Sequence, residues 1–401
     1  MKNTADNKLM RRMNSKTLID LIRNEAPVSR ANLSAITGLN RSTVSSIIDD
    51  LIHDGWVQET ALESGKVGRP GILLEINPCG GFAIGLEIGV DFVLGVCVDF
   101  SVKKIWNKII EIDPNEGQTK ILQKAFTLTS EAIEFGKQKC AKPLGIGIAV
   151  PGLVDIANGV LKIAPNLHWE DVPLRLLWTQ EFNLPVQVEN EANAAALGEF
   201  HYGAASGIKN LIYIAAGYGL GSGIIVDGKL LRGNKGYAAE VGHMTIYPDG
   251  LPCNCGKRGC YETIISPRAV IDRINRIIKE NGGDSRYFNK PETGLGHDAV
   301  VDAANHHDQV ALKALENVGR DLGLLVSNLV NIFNPKMVIL GGALNYAKDY
   351  IQKVVLDVVE VNALKLCQED LIITNSELDP FSAVMGMISL VNEKSFSEWL
   401  N

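Results

Sequence analysis

The spacing of apolar residues divides the chain into a short helical beginning and a long stretch where buried strands alternate with helices. Apolar side chains at Leu18, Ile19, Leu21 and Ile22 form a helical stripe within residues 8–25, which ends before Pro27. Ser29 can cap a short second helix whose inner face is Leu33 and Ile36, and Gly38 ends it. After the Gly38-Leu39-Asn40 turn, the segment from Arg41 to Asp54 places Val44, Ile47, Ile48 and Leu51 on one helical face. Trp56 to Glu59 and Ile72 to Ile76 then read as two strands, joined by a polar loop over 61–71.

Helix, tight turn, helix and hairpin over residues 1–77 is the layout of a winged helix-turn-helix domain (α+β). Its chemistry suits a reader of DNA. Asn40, Ser42, Thr43, Ser45 and Ser46 are short, polar and uncharged and Arg41 is the one charge among them, a set able to reach base edges and phosphates in a major groove. Ser29 and Arg30, at the start of the preceding helix, join the expected contacts, and Asp49, Asp50 and Asp54 are expected to lie away from the phosphates. The hairpin tip carries Lys66 and a Gly68-Arg69-Pro70 hook suited to a narrow minor groove. A three-helix bundle that binds protein is the competing reading.

Further along, Phe82 to Gly89 and Phe92 to Asp99 match Leu211 to Gly219 and Gly221 to Asp227 in pattern. Each is an apolar strand, a glycine turn, and a second apolar strand ending in Asp. Each pair is followed, after helices, by another buried strand and glycine turn, at Leu144–Gly152 and Met337–Gly342. Such a duplication implies an actin-like, sugar-kinase-like (ribonuclease H-like) α/β body with two lobes around a cleft. The lobes are expected at 78–205 and 206–401, and the final helix can pack back on the first lobe.

Charge refines the division. Residues 1–77 hold ten Lys/Arg against nine Asp/Glu, the remainder 29 against 37. A slightly basic head on an acidic body fits DNA binding confined to the head and argues against a protein that coats nucleic acid indiscriminately. No stretch is long and apolar enough to span a bilayer, and the polar beginning lacks a signal-peptide core, so a cytoplasmic protein without membrane contact is expected.

Three of the seven cysteines crowd into Cys253-Asn-Cys255-Gly-Lys-Arg-Gly-Cys260. In a reducing compartment, thiolates on a glycine-rich loop favour structural zinc over disulfides, and His243 offers a fourth ligand for a closed tetrahedral site. Free surface thiols are the alternative. Between the lobes, the strand Val186–Asn190 delivers Glu189, Asn190 and Glu191 to the start of an Ala-rich helix, well placed to grip hydroxyls in a cleft, unless Asn and Glu merely cap that helix. The histidines at 306 and 307 read as solvated.

Glu240-Val-Gly-His243 and Cys-x-Cys-Gly-x-x-Gly-Cys260-Tyr-Glu262 resemble the signatures of the ROK family (repressors, open reading frames and kinases). The resemblance covers nearly the whole chain, and the winged head is similar to the repressor branch. It implies sugar contacts from Asn190, Glu191, Glu240, His243 and Glu262, with Pro151 and Gly152 lining the pocket, and zinc (Zn2+) held by His243, Cys253, Cys255 and Cys260. Family kinases carry Asn-Asp-Ala-Asn and Asp-x-Gly-Gly-Thr. Here the segments are Asn190-Glu191-Ala192-Asn193 and Glu87-Ile88-Gly89-Val90-Asp91, so Val90 and Asp91 are expected to face the phosphates. The second glycine loop, Ala215–Gly223, has no Thr before Tyr218.

These departures argue for a repressor without catalytic residues, and the alternative is an ATP-dependent sugar kinase with a DNA-binding head. A regulator answering to a partner protein is a further possibility. The Glu-Asn-Glu-Ala-Asn variant is similar to that of xylose repressors, so xylose is the first expected effector, with glucose or N-acetylglucosamine next. A homodimer or homotetramer would place two heads on a palindromic double-stranded operator.

Overall fold

The computed structural model describes residues 2–62, 71–140, 142–281, 287–288 and 297–399. The chain begins with α1 (Lys2–Glu25), β1 (Val28–Ser29), α2 (Arg30–Thr37), α3 (Arg41–His53), β2 (Val57–Leu62) and β3 (Ile72–Ile76). Ser29 caps α2 by accepting the Asn32 amide at 3.3 Å, and Asn40 caps α3 by accepting that of Thr43 at 2.7 Å. Between them Gly38 takes φ +71°, a left-handed conformation that glycine adopts without steric penalty. The α3 stripe Val44, Ile47, Ile48 and Leu51 is buried as its spacing predicts. On α2 only Leu33 is buried; Ile36 is 55% exposed, because a helix of two turns leaves room for one inward row.

The body is built on two five-stranded sheets with the same topology. The first orders β11-β7-β4-β5-β6 from β4 (Phe82–Ile88), β5 (Phe92–Asp99), β6 (Lys104–Glu111), β7 (Pro143–Val150) and β11 (Val186–Asn190). A smaller antiparallel sheet, β8 (Leu153–Asp155), β9 (Val160–Ala164) and β10 (Trp169–Val172), is inserted between its last two strands. The second orders β14-β13-β12-β15-β16 from β12 (Leu211–Ala216), β13 (Leu220–Val226), β14 (Lys229–Leu230), β15 (Met337–Gly342) and β16 (Ile372–Asn375). In each, consecutive hairpins supply three antiparallel strands and helical crossovers add two parallel ones. The parallel strands are apolar on both faces because helices cover both.

On the first sheet, α4 (Gln118–Lys139) covers one side, and α5 (Leu174–Phe182) precedes β11. The helix α6 (Glu191–Tyr202) follows β11 directly. The second sheet carries α7 (Glu262–Ile265), α8 (Pro267–Asn281), α9 (His297–Asn305), α10 (Gln309–Phe333), α11 (Ala343–Tyr346), α12 (Lys348–Asn362) and α13 (Lys365–Gln368). The last helix, α14 (Ser382–Trp399), lies with α6 between the two sheets. Small residues bring these backbones together. A Cβ on Gly386 would sit 1.7 Å from the Ala194 carbonyl oxygen, and one on Gly223 would sit 2.6 Å from that of Ala192. Thus α6 rests on β13 of the second sheet while α14 rests on β4 and β7 of the first.

The far end of α14 reaches the amino-terminal helices. Phe396 and Trp399 pack on Trp56, with ring centroids 5.8 and 5.7 Å away, and Trp56 meets Phe100 edge-on at 4.6 Å. The Trp399 indole N–H donates to Asp54, the residue capping the end of α3, at 2.6 Å. One apolar cluster therefore contains α1, α3, β5 and α14 together. Among the described residues no helix is long and apolar enough to cross a membrane.

Candidate functional site

Strands β7 and β11 are parallel neighbours in register, Val150 opposite Asn190, so both end at the same edge. There the chain turns at Pro151-Gly152. Gly152 has φ +98°, and a Cβ on it would lie 2.1 Å from the Ile163 carbonyl oxygen. The Asn190 side-chain oxygen caps α6, accepting the amides of Ala192 (2.9 Å) and Asn193 (3.1 Å), while its nitrogen donates to the Gly152 carbonyl at 3.0 Å. Capping is thus a real role of Asn190, and it fixes Glu191 as the first residue of α6.

Glu191 faces a concentration of negative charge. Burial pushes its carboxyl up to about 7, helped by the charges of Glu240 and Asp91. Glu240, from the second sheet's side, is likewise pushed up to about 7, by crowding of protein around it and then by Glu262. It still keeps an open path to solvent, as expected for a group at the mouth of a cleft. Ala239 just before it adopts φ +68°, unusual for a residue with a Cβ and a sign that the turn is held from both sides. Buried Glu87 is raised well above the usual carboxylate range by desolvation, then by Glu191 and Asp379. These carboxyls are hydrogen-bond partners suited to a polyhydroxylated, uncharged ligand and poorly suited to an anion.

Glu262 joins this cleft to the cysteine loop. Its Oε2 accepts the Leu220 amide at 3.2 Å, and its Oε1 accepts the Cys253 thiol at 3.3 Å. His243 lies in a single turn, Val241–His243, with Nδ1 3.7 Å from the Cys253 sulfur. Cys255 and Cys260 sulfurs are also 3.7 Å apart, and the ligand atoms of all four residues lie within 4.8 Å of one another. A tetrahedral ion with metal–sulfur bonds of about 2.3 Å places sulfurs about 3.8 Å apart, so the donor set could hold a metal ion with the wider pairs drawing in by about 1 Å. The loop closes tightly: a Cβ on Gly259, at φ +69°, would meet the Tyr247 carbonyl oxygen at 1.5 Å.

The hairpin expected at the phosphates departs from expectation at Val90, which turns into the core and is 5% exposed, whereas Asp91 is exposed. Beside the second glycine hairpin, a cavity of about 30 Å³ is lined by Ala216, Val270, Leu315, Ala343, Leu344 and Ile351.

In the amino-terminal unit, Asn40, Arg41, Ser42 and Ser46 are exposed, with Thr43 and Ser45 half-buried. Ser29 is corrected: it is 2% exposed and spends its hydroxyl as a cap, so it cannot reach DNA. Arg30 pairs with Asp49 (2.8 Å) and Glu59 (3.0 Å), and Arg11 pairs with Asp50 and donates to Ser46 at 3.2 Å. The acids of α3 thus face basic partners within the protein. Lys66 and Arg69 lie outside the described residues. His306 and His307 are exposed. The sequence placed Glu189 at the end of its strand but gave no sign of Arg232, with which it forms a 3.0 Å ion pair. The one signal for the pair was an acid near the end of the strand Val186–Asn190.

Two like sheets sandwiching a helix pair, with the cleft carboxyls between them, define an actin-like, two-lobed body of the sugar-kinase class. Residues 83–394 match the ROK family, and the chain belongs to it. It is 35% identical to the xylose repressor of Caldicellulosiruptor bescii over 384 residues, 96% of each chain. Among solved structures it is similar to a ROK family transcriptional regulator, a homologue of the Escherichia coli Mlc protein. The TM-score is 0.83, with 26% identity and 98% of each chain covered. A ROK glucokinase from Streptomyces griseus, in complex with glucose and AMPPNP, matches with TM-score 0.69 and 28% identity, covering 78% of this chain and all of its own.

Proposed function

We propose that the protein is a sugar-responsive transcriptional repressor without kinase activity, carrying a winged helix-turn-helix head on a sensor body. The observation that carries this reading is how the similarities are distributed. The repressor and the transcriptional regulator match nearly end to end, whereas the glucokinase accounts for only 78% of this chain. In the head, α3 is the recognition helix, presenting Asn40, Arg41, Ser42, Thr43, Ser45 and Ser46 to a double-stranded operator, and Lys66 and Arg69 belong to the wing.

In the body, Asn190, Glu191, Glu240, His243 and Glu262 contact the sugar, with Pro151 and Gly152 at its edge. Xylose is the first candidate, then glucose and N-acetylglucosamine. Zinc on His243, Cys253, Cys255 and Cys260 is a structural cross-link. His243 belongs to both sets, so the thiol loop fixes one of the groups that bind the sugar. Homodimers or homotetramers place paired heads on a palindromic operator, and sugar releases them. The free energy available for release equals the difference in sugar affinity between the two states.

Loss of phosphoryl transfer is supported at three points. Glu191 carries one methylene more than the usual catalytic Asp, which displaces the carboxylate by about 1 Å or more from an in-line geometry. Asp91 brings an additional carboxyl where phosphates would approach, and the loop lacks the Thr of the kinases. The second glycine loop, Ala215–Gly223, has no Thr before Tyr218.

Calorimetry of the zinc-loaded full chain against the three sugars, with and without an ATP analogue, tests the reading alongside operator binding followed by anisotropy. One sugar should bind independently of nucleotide and weaken operator binding. Sugar-dependent ADP release would instead establish the kinase.

A further inference from the structure

Arg232 opens the loop that leads from β14 of the second lobe to Glu240. Its guanidinium crosses the cleft to Glu189 at the end of β11 in the first lobe, with Nη2 and Nε 3.0 and 3.2 Å from Oε2. Glu189 is 1% exposed, and its other oxygen is committed to the first lobe. Oε1 accepts the Asn190 amide at 3.1 Å and the Asn193 side-chain nitrogen at 3.2 Å. One buried carboxylate thus holds the start of α6 with one oxygen and the opposite lobe with the other.

The same loop touches the first lobe a second time. A Cβ on Gly236 would lie 3.1 Å from Ile156 Cδ1 and 3.4 Å from the Val154 carbonyl oxygen, so its backbone rests on β8 and the residue following it. The loop is also closed on itself, since the Ala238 amide donates to the Arg232 carbonyl at 3.3 Å. That bond fixes Arg232 relative to Glu240, two residues beyond Ala238. A charge as buried as Glu189 is tolerated only when paired, which makes the crossing contact obligatory in this closed arrangement.

We propose that Arg232 and Glu189 are positioning residues for the sugar site. Their ion pair sets the separation at which Glu191 of the first lobe and Glu240 of the second face the same ligand. This inference rests on the sugar-binding reading above.

The test is calorimetry of the zinc-loaded full chain with xylose, glucose and N-acetylglucosamine, with melting temperature and zinc content measured in parallel. Arg232→Gln alone strands a buried carboxylate, so the decisive variant is the double Glu189→Gln/Arg232→Gln, in which both charges are gone. It should keep its zinc and melting temperature yet bind the sugar about tenfold more weakly, within the usual range of coupling between elements. Arg232→Lys should recover part of that loss. Unchanged sugar affinity in the double variant would overturn the positioning role and leave the sugar reading standing. If the unmodified protein binds none of the three sugars, the sugar reading falls and takes this inference with it.

Discussion

Trp399 offers a direct measure of how firmly the body holds the DNA-binding head. Replacing it with Ala removes the hydrogen bond to Asp54, whose acceptor is a carboxylate at the end of α3, and the ring contact with Trp56 at 5.7 Å. The stacking on Phe396 stays within α14 and does not count towards the attachment. A hydrogen bond to a charged, partly solvated acceptor contributes about 1.5 kcal/mol and a cross-element aromatic pair about 1 kcal/mol. Trp399→Ala should therefore cost about 2.5 kcal/mol of head docking, and Trp399→Phe, which keeps a ring, about 1.5 kcal/mol.

Hydrogen exchange reads this directly. Amides in the last turn of α3 should exchange roughly seventyfold faster in the Ala variant and roughly tenfold faster in the Phe variant, while β4 and β12 keep their protection. Equal protection of α3 in all three proteins would mean that the remaining apolar cluster holds the head without help from Trp399, and the reasoning would fail.

Two further outcomes are expected. Cys260→Ser should reduce bound zinc, measured by native mass spectrometry, and weaken sugar binding by about tenfold or more through His243, which serves both metal and sugar; full zinc occupancy would contradict the assigned ligand set. Glu191, facing Glu240, Asp91 and Glu87, is raised from its ordinary 4.5 to about 7, so the folded protein holds that proton more tightly than the unfolded chain. Its favourable contribution is complete below about pH 4.5 and is lost as the pH rises through 7. Glu191→Gln should flatten part of the fall in melting temperature between those limits, and an unaltered slope would refute the assignment.

Local features were legible in the sequence because neighbouring residues produce them. The α3 stripe, the Asn40 cap, the Gly38 turn and the spacing of Cys253, Cys255 and Cys260 each depend on a few consecutive positions, and each lies in the structure where the pattern predicts. Ile36 failed for a related reason: periodicity names a face but cannot say how much of a short helix finds a partner. Ser29 failed because one hydroxyl can either cap a helix or reach outward, and only the fold decides. The Glu189–Arg232 pair spans 43 residues and the Asp54–Trp399 bond 345, and nothing in local spacing announces such contacts. The sandwiching of α6 and α14 was hidden for the same reason, since Gly223 and Gly386 look like ordinary turn or helix glycines until the opposing backbone is seen.

The 345-residue span of the Asp54–Trp399 contact also has a consequence for biosynthesis. The head leaves the ribosome before the body, yet the aromatic residues that complete its packing are translated well after it. At the usual 5–20 residues per second, that is a delay of roughly 17 to 70 seconds. Throughout that interval the nascent head displays Trp56 without its partners on α14. A chain that stalls or is cut short before residue 396 carries the whole of α3 but docks it without Phe396 and Trp399, so an incomplete product holds its head less firmly than the finished one.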